Sequence, residues 1–146
     1  ILAADLSREE LEDTLDVVMD NKDVIQGVVL TNLAIPAGEG GKEIKGDLAY
    51  HKGGMSGLPV QRLATTMIRD TYRYTGGEIT IIGVGGVFTA RDAYEKITSG
   101  ANLLHMITAM IFDGPHAMGE LNRGMAKKSR PNNRDLASHA YGSSRP

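Results

Sequence analysis

The chain contains no cysteine, which excludes disulfides, Cys-ligated zinc, iron–sulfur clusters and a thiol nucleophile, and leaves the redox compartment open. No apolar run approaches the roughly 20 residues that a bilayer-spanning helix needs. Charge of one sign is also lacking: 16 Lys and Arg stand against 18 Asp and Glu, which gives no sign of a nucleic-acid surface or a strongly steered partner. The four histidines, His51, His105, His116 and His139, fall at no metal-ligand spacing, and no metal site is expected. There is no Walker A sequence, and Gly83-Val84-Gly85-Gly86 is not the dinucleotide fingerprint, because the third glycine is not at its required spacing. The chain opens at Ile1 without Met and without a signal-like segment, which we read as a processed product or a piece of something longer.

What is present is 146 residues, 41% of them hydrophobic, a single-domain length with enough apolar material for a core. The most informative stretch is Ile79 to Val87, where a β-branched run ends in three glycines within four residues and a helical pattern begins at Thr89. Backbone N–H groups in such a turn can approach an anion closely, since no Cβ intervenes, and the positive end of the next helix faces the same point. A tight strand-to-helix turn without a ligand is the competing reading of these residues alone.

Around this turn the chain alternates. A short apolar start at Ile1 to Ala4 leads into a helix with a Ser7/Glu10 capping box and Leu11, Leu15 and Val18 on one face. Val24 to Leu30 reads as a strand stopping at Thr31-Asn32. No periodicity holds from Leu33 to Gly57, a length that predicts a lid, a binding loop or disorder. Pro59 opens a helix with Val60, Leu63, Ala64, Met67 and Ile68 on its inner face. After the glycine turn, Thr89 and Asp92 start a helix with Ala93, Tyr94 and Ile97 as its apolar face. Ala101 to Thr108 is strand-like, Gly114-Pro115 begins a last helix ending near Lys127-Lys128, and 129–146 reads as a polar extended tail.

The order β-α-β-loop-α-β-α-β-α, with nearly continuous apolar strands, predicts an α/β fold with a parallel sheet covered on both faces. Four βα units fit either a small doubly wound sheet or half of a (βα)8 barrel. In such barrels a phosphate site is frequently built after the last two strands, and catalytic groups sit at C-terminal strand ends. Here those ends are Gly83 to Gly86, Thr108-Ala109 and Thr31-Asn32, all on one rim.

The motifs Gly53-Gly54-Met55-Ser56-Gly57-Leu58-Pro59, Ile81 to Val87, Asp92-Ala93-Tyr94-Glu95-Lys96-Ile97, Gly100-Ala101 and Gly114-Pro115 together closely resemble dihydroorotate dehydrogenase of the quinone-linked membrane class. The resemblance runs in unbroken order from about Leu2 to Gly114 and implies the C-terminal half of a TIM (βα)8 barrel over 1–128, with a long loop at 33–57. It implies FMN as cofactor, oxidation of dihydroorotate to orotate in pyrimidine biosynthesis, and quinone as electron acceptor. Carried over position by position, Thr31 contacts the flavin, Asn32 hydrogen-bonds orotate, and Ser56 and Gly57 lie against FMN. Gly85, Gly86 and Thr108 match the FMN-phosphate site. The resemblance puts the catalytic base, a serine, in the N-terminal half of the barrel, so no residue here is assigned that role. A second chain or segment supplying that half is the partner it implies, and a mitochondrial or bacterial inner membrane is the location.

The chain departs from the family at four places. Leu33 stands where the family has a second orotate-binding hydroxyl residue, and Ile107 replaces the usual Tyr before Thr108. Phe88-Thr89-Ala90 replaces a small Ser and Gly segment, and Ile1 falls where a lysine contacts the flavin ring. Two expectations follow: a flavoenzyme half that needs its N-terminal half for activity, or a catalytically inactive half-barrel kept as a structural or assembly subunit of a larger mitochondrial membrane complex.

Overall fold

The structure is a computed structural model and describes residues 1–35 and 54–129. The tail and most of the long loop, with His51, Gly53 and His139, lie outside the described residues. Helix α1 (Arg8–Asp20) is followed by strand β1 (Gly27–Leu30), a 3-10 turn (Leu58–Val60) and helix α2 (Gln61–Thr75). Strand β2 (Thr80–Gly83), helix α3 (Ala90–Thr98), strand β3 (Leu103–Leu104) and helices α4 (Thr108–Asp113) and α5 (His116–Lys128) complete the order. The strands form a parallel sheet in the order β1-β2-β3. Leu2 adds a single parallel bridge to Leu30 on the outer side of β1.

Local chemistry explains these elements. In α1 the Ser7 hydroxyl accepts the Glu10 N–H while the Glu10 carboxylate accepts the Ser7 N–H, and α3 starts with the same reciprocal cap made by Thr89 and Asp92. Helix α2 ends at Gly76, whose φ of 62° is the left-handed conformation that stops a helix. The side-chain carbonyl of Asn102 accepts the Ile81 N–H at 2.8 Å and its own backbone N–H donates to the Ile81 carbonyl at 2.8 Å, which carries the sheet from β2 toward β3.

Register decides which side chains enter the core. Val28, Leu30 and Ile81 turn toward α1 and α2, where they pack with Leu11, Leu15, Val18, Met67 and Ile68. Helices cover this one face. The opposite row of the register, Val29, Ile82 and Leu103, is less buried, and Leu103 is 58% exposed. The expectation of a sheet covered on both faces therefore holds for one face among the described residues; a half-barrel's inner layer meets side chains from strands beyond it. The last strand is also shorter than Ala101 to Thr108. It stops at Leu104, and Thr108 opens α4; among the described residues β3 pairs with β2 alone.

Candidate functional site

At the C-terminal ends of the strands lies a cavity of about 200 Å³. Thr31 and Asn32 after β1, Ser56 and Gly57 before the 3-10 turn, Gly85 and Gly86 after β2, and Thr108 after β3 all line it. Four separate stretches thus bring to one place every residue that the sequence reading singled out. Val60, Val84, Val87 and Met106 form its apolar wall, and Ile1, Leu33, Ile107 and Ile111 its exposed rim. The aliphatic departures Ile1, Leu33 and Ile107 therefore all stand at the mouth.

Thr31 is anchored by its backbone, whose N–H donates to the Val84 carbonyl at 3.1 Å. Its hydroxyl is buried, lies beside Gly85, and makes no hydrogen bond among the described residues. A buried hydroxyl without a partner is costly. Asn32 donates its backbone N–H to Leu2 at 2.7 Å, and its side chain is exposed at the cavity. The hydroxyls of Ser56 and Thr108 face each other at 3.4 Å. Gly57 has a φ of 76°, and a Cβ there would meet the Thr108 methyl at 2.8 Å, so the Ser56 segment reaches Thr108 only with glycine at that position.

The glycine turn sits on the first turn of α2. A Cβ on Gly86, where φ is 68°, would lie 2.4 Å from Gln61 Cβ. The Gln61 side-chain amide donates to the Gly86 carbonyl at 2.7 Å and fixes the orientation of the turn. Among the described residues, the backbone N–H groups of Gly85, Gly86 and Val87 have no acceptor. The start of α3 is occupied differently from the sequence reading. The Asp92 carboxylate accepts the N–H groups of Phe88 and Thr89 and the Thr89 hydroxyl, so an acidic side chain already stands at the positive end of the helix.

One residue that the sequence reading passed over is central to this architecture. Lys96 is fully buried, and its Nζ donates to the Thr65 hydroxyl at 3.0 Å and to the Gln61 carbonyl at 3.3 Å. Burial pushes its pKa down to about 8, partly opposed by Glu95 and Asp92. The signal was available in the three-residue step from Ala93, the other buried residue of α3, which places Lys96 on the inner face. Tyr94, expected inside, is only half-buried, and its ring faces the Lys128 ammonium at 5.1 Å. His105 lines the cavity, while His116 lies in a second, open groove with Phe88, Asp113 and Glu120. Among the described residues no three His, Cys, Asp or Glu side chains gather as a metal site.

Chemically, the site offers unpaired backbone donors and hydroxyls at one end and aliphatic side chains at the other, which suits an anion carried on an apolar body. Its volume is below the roughly 300–1,000 Å³ of a drug-sized ligand site. A parallel α/β sheet with that cavity at its C-terminal strand ends defines the class: part of a (βα)8 barrel.

Comparison with known proteins gives the family. The dihydroorotate dehydrogenase family model matches residues 1–128. "Dihydroorotate dehydrogenase (quinone)" of Parvibaculum lavamentivorans is 38% identical over 127 residues, covering 87% of this chain and 35% of the relative. The protein of the same name from Crocosphaera subtropica is 39% identical over 132 residues, covering 87% of this chain and 34% of the relative. The crystal structure of ligand-free DHODH from Eimeria tenella superposes with a TM-score of 0.81 at 30% identity, covering 99% of this chain and 39% of that one. The chain belongs to the dihydroorotate dehydrogenase family. It spans about a third of the length of the curated relatives it matches. Among the described residues no helix is long and apolar enough to cross a membrane.

Proposed function

We propose that this chain supplies the flavin-phosphate wall of a quinone-linked dihydroorotate dehydrogenase and acts together with a segment providing the N-terminal half of the barrel. The observation that carries this is the convergence of Thr31, Asn32, Ser56, Gly57, Gly85, Gly86 and Thr108 on one cavity. The donors of Gly85, Gly86 and Val87 would hold the FMN phosphate, with Thr108 beside it, while Thr31 would give its buried hydroxyl to the flavin. Asn32 would hydrogen-bond orotate from the exposed edge. FMN, when bound, supplies the two-electron chemistry that oxidises dihydroorotate and passes electrons to quinone. This chain's residues bind and orient it, and the aliphatic rim excludes water. The base belongs to the other half, so the chain alone is inactive.

The half-barrel over 1–128 and the polar tail over 129–146 are proposed as separate units, and an inner-membrane location follows from quinone use. The row Val29, Ile82 and Leu103 would face the complementary half. The test is reconstitution: mixing this chain with the N-terminal half of a related enzyme is expected to yield flavin absorbance and dihydroorotate-dependent quinone reduction. Loss of both in a folded complex would sink the proposal.

A further inference from the structure

The floor beneath the glycine turn contains a cation with no carboxylate on it. Lys96 is 0% exposed, donates only to the neutral oxygens of Gln61 and Thr65, and forms no ion pair among the described residues. A buried ammonium without an opposite charge is expensive, and a bland packing role would be filled at lower cost by an apolar side chain of the same length. At neutral pH it stays mostly charged, since burial lowers its pKa only to about 8.

Its position gives that charge a use. Gln61 connects it to the cavity: the Gln61 carbonyl accepts from Lys96 Nζ, and the Gln61 side chain donates to the Gly86 carbonyl at 2.7 Å. With Gln61 Cα 2.7 Å from where a Gly86 Cβ would stand, the ammonium lies at most about 10 Å from Gly86 by standard covalent geometry. It sits behind the turn whose backbone N–H groups are unpaired.

We propose that Lys96 is a positioning residue for the anionic end of the ligand: it fixes the first turn of α2 under Gly86, and its charge favours a phosphate at the glycine turn without touching it. This rests on the reading of the cavity as a flavin-phosphate site. The ligand class is a flavin carrying a terminal phosphate, and Lys96 makes the site prefer it over the unphosphorylated flavin.

The test measures dissociation constants for FMN and riboflavin, by flavin fluorescence quenching, in the complex of this chain with the complementary half-barrel. Wild type is expected to prefer FMN. Lys96→Met and Lys96→Gln keep the stem but remove the charge, and both are expected to weaken FMN about tenfold, the effect of one charge at about 10 Å in a protein-like dielectric. Riboflavin affinity is expected to change less than about twofold. If FMN and riboflavin weaken equally, or FMN keeps its full advantage, Lys96 is structural and the inference is overturned while the flavin site stands. Failure of both variants to assemble has the same meaning. If wild type itself binds riboflavin as tightly as FMN, the phosphate reading fails and this inference with it.

Discussion

Thr31 carries its hydroxyl at a cost to the fold. Its hydroxyl is buried with no partner, so Thr31→Val is expected to leave stability unchanged or raise it by about 1 kcal/mol, while weakening FMN binding about tenfold. Urea denaturation and flavin titration check the two halves of that expectation. Gly86→Ala acts in the opposite way, placing a Cβ 2.4 Å from Gln61 Cβ at a φ of 68°; we expect a loss of about 2–3 kcal/mol and of flavin retention. Lys96 gives a pH signature. Burial depresses its pKa from 10.5 to about 8, so between those values the unfolded chain binds more protons than the folded one and stability rises with pH. The gain is on the order of 3 kcal/mol, complete above the unfolded pKa and absent below about pH 8. Denaturation of flavin-free wild type and Lys96→Met across pH 7.5 to 10.5 should show the rise in wild type only. The glycines and Thr31 were legible in the sequence because strand ends and backbone constraints mark them. Lys96 was not, because a charged side chain on a short helix reads as solvated until the neighbouring helix is known.

At the level of elements, the capping boxes were the most readable features, since Ser7 with Glu10 and Thr89 with Asp92 carry their chemistry within one turn. Asp92→Ala removes the acceptor for Phe88 N–H, Thr89 N–H and the Thr89 hydroxyl. It is expected to cost about 1–2 kcal/mol by thermal or urea denaturation. The last third of the chain was read less well. Leu103 to Ile111 is one apolar run, and local pattern does not say where strand gives way to helix. Tertiary context decides: among the described residues β3 pairs with β2 alone, and the chain turns at Ile107 into α4, which ends at Gly114 with φ 79°. A side-chain contact joins α2 to α1: the Tyr74 hydroxyl donates to the Asp16 carboxylate at 2.6 Å, which raises its pKa to about 12.

Among the described residues the sheet has one face under helices and a less buried opposite face. Ile111 and Phe112 on α4 are 74% and 79% exposed, near the cavity rim formed with Ile1 and Ile107. The half-barrel character was legible from the number and order of βα units and from the rim position of the motifs. That the row Val29, Ile82 and Leu103 is less buried was not, because burial on the far side of a sheet depends on what packs there rather than on local pattern. The account as a whole is tested most directly by mixing this chain with the complementary half-barrel and FMN, passing the mixture through gel filtration, and measuring flavin in the protein peak. We predict one FMN retained per assembled pair, lost when Gly86→Ala is substituted. A folded, assembled pair that emerges without flavin, or one that keeps it undiminished with Gly86→Ala, would contradict the account.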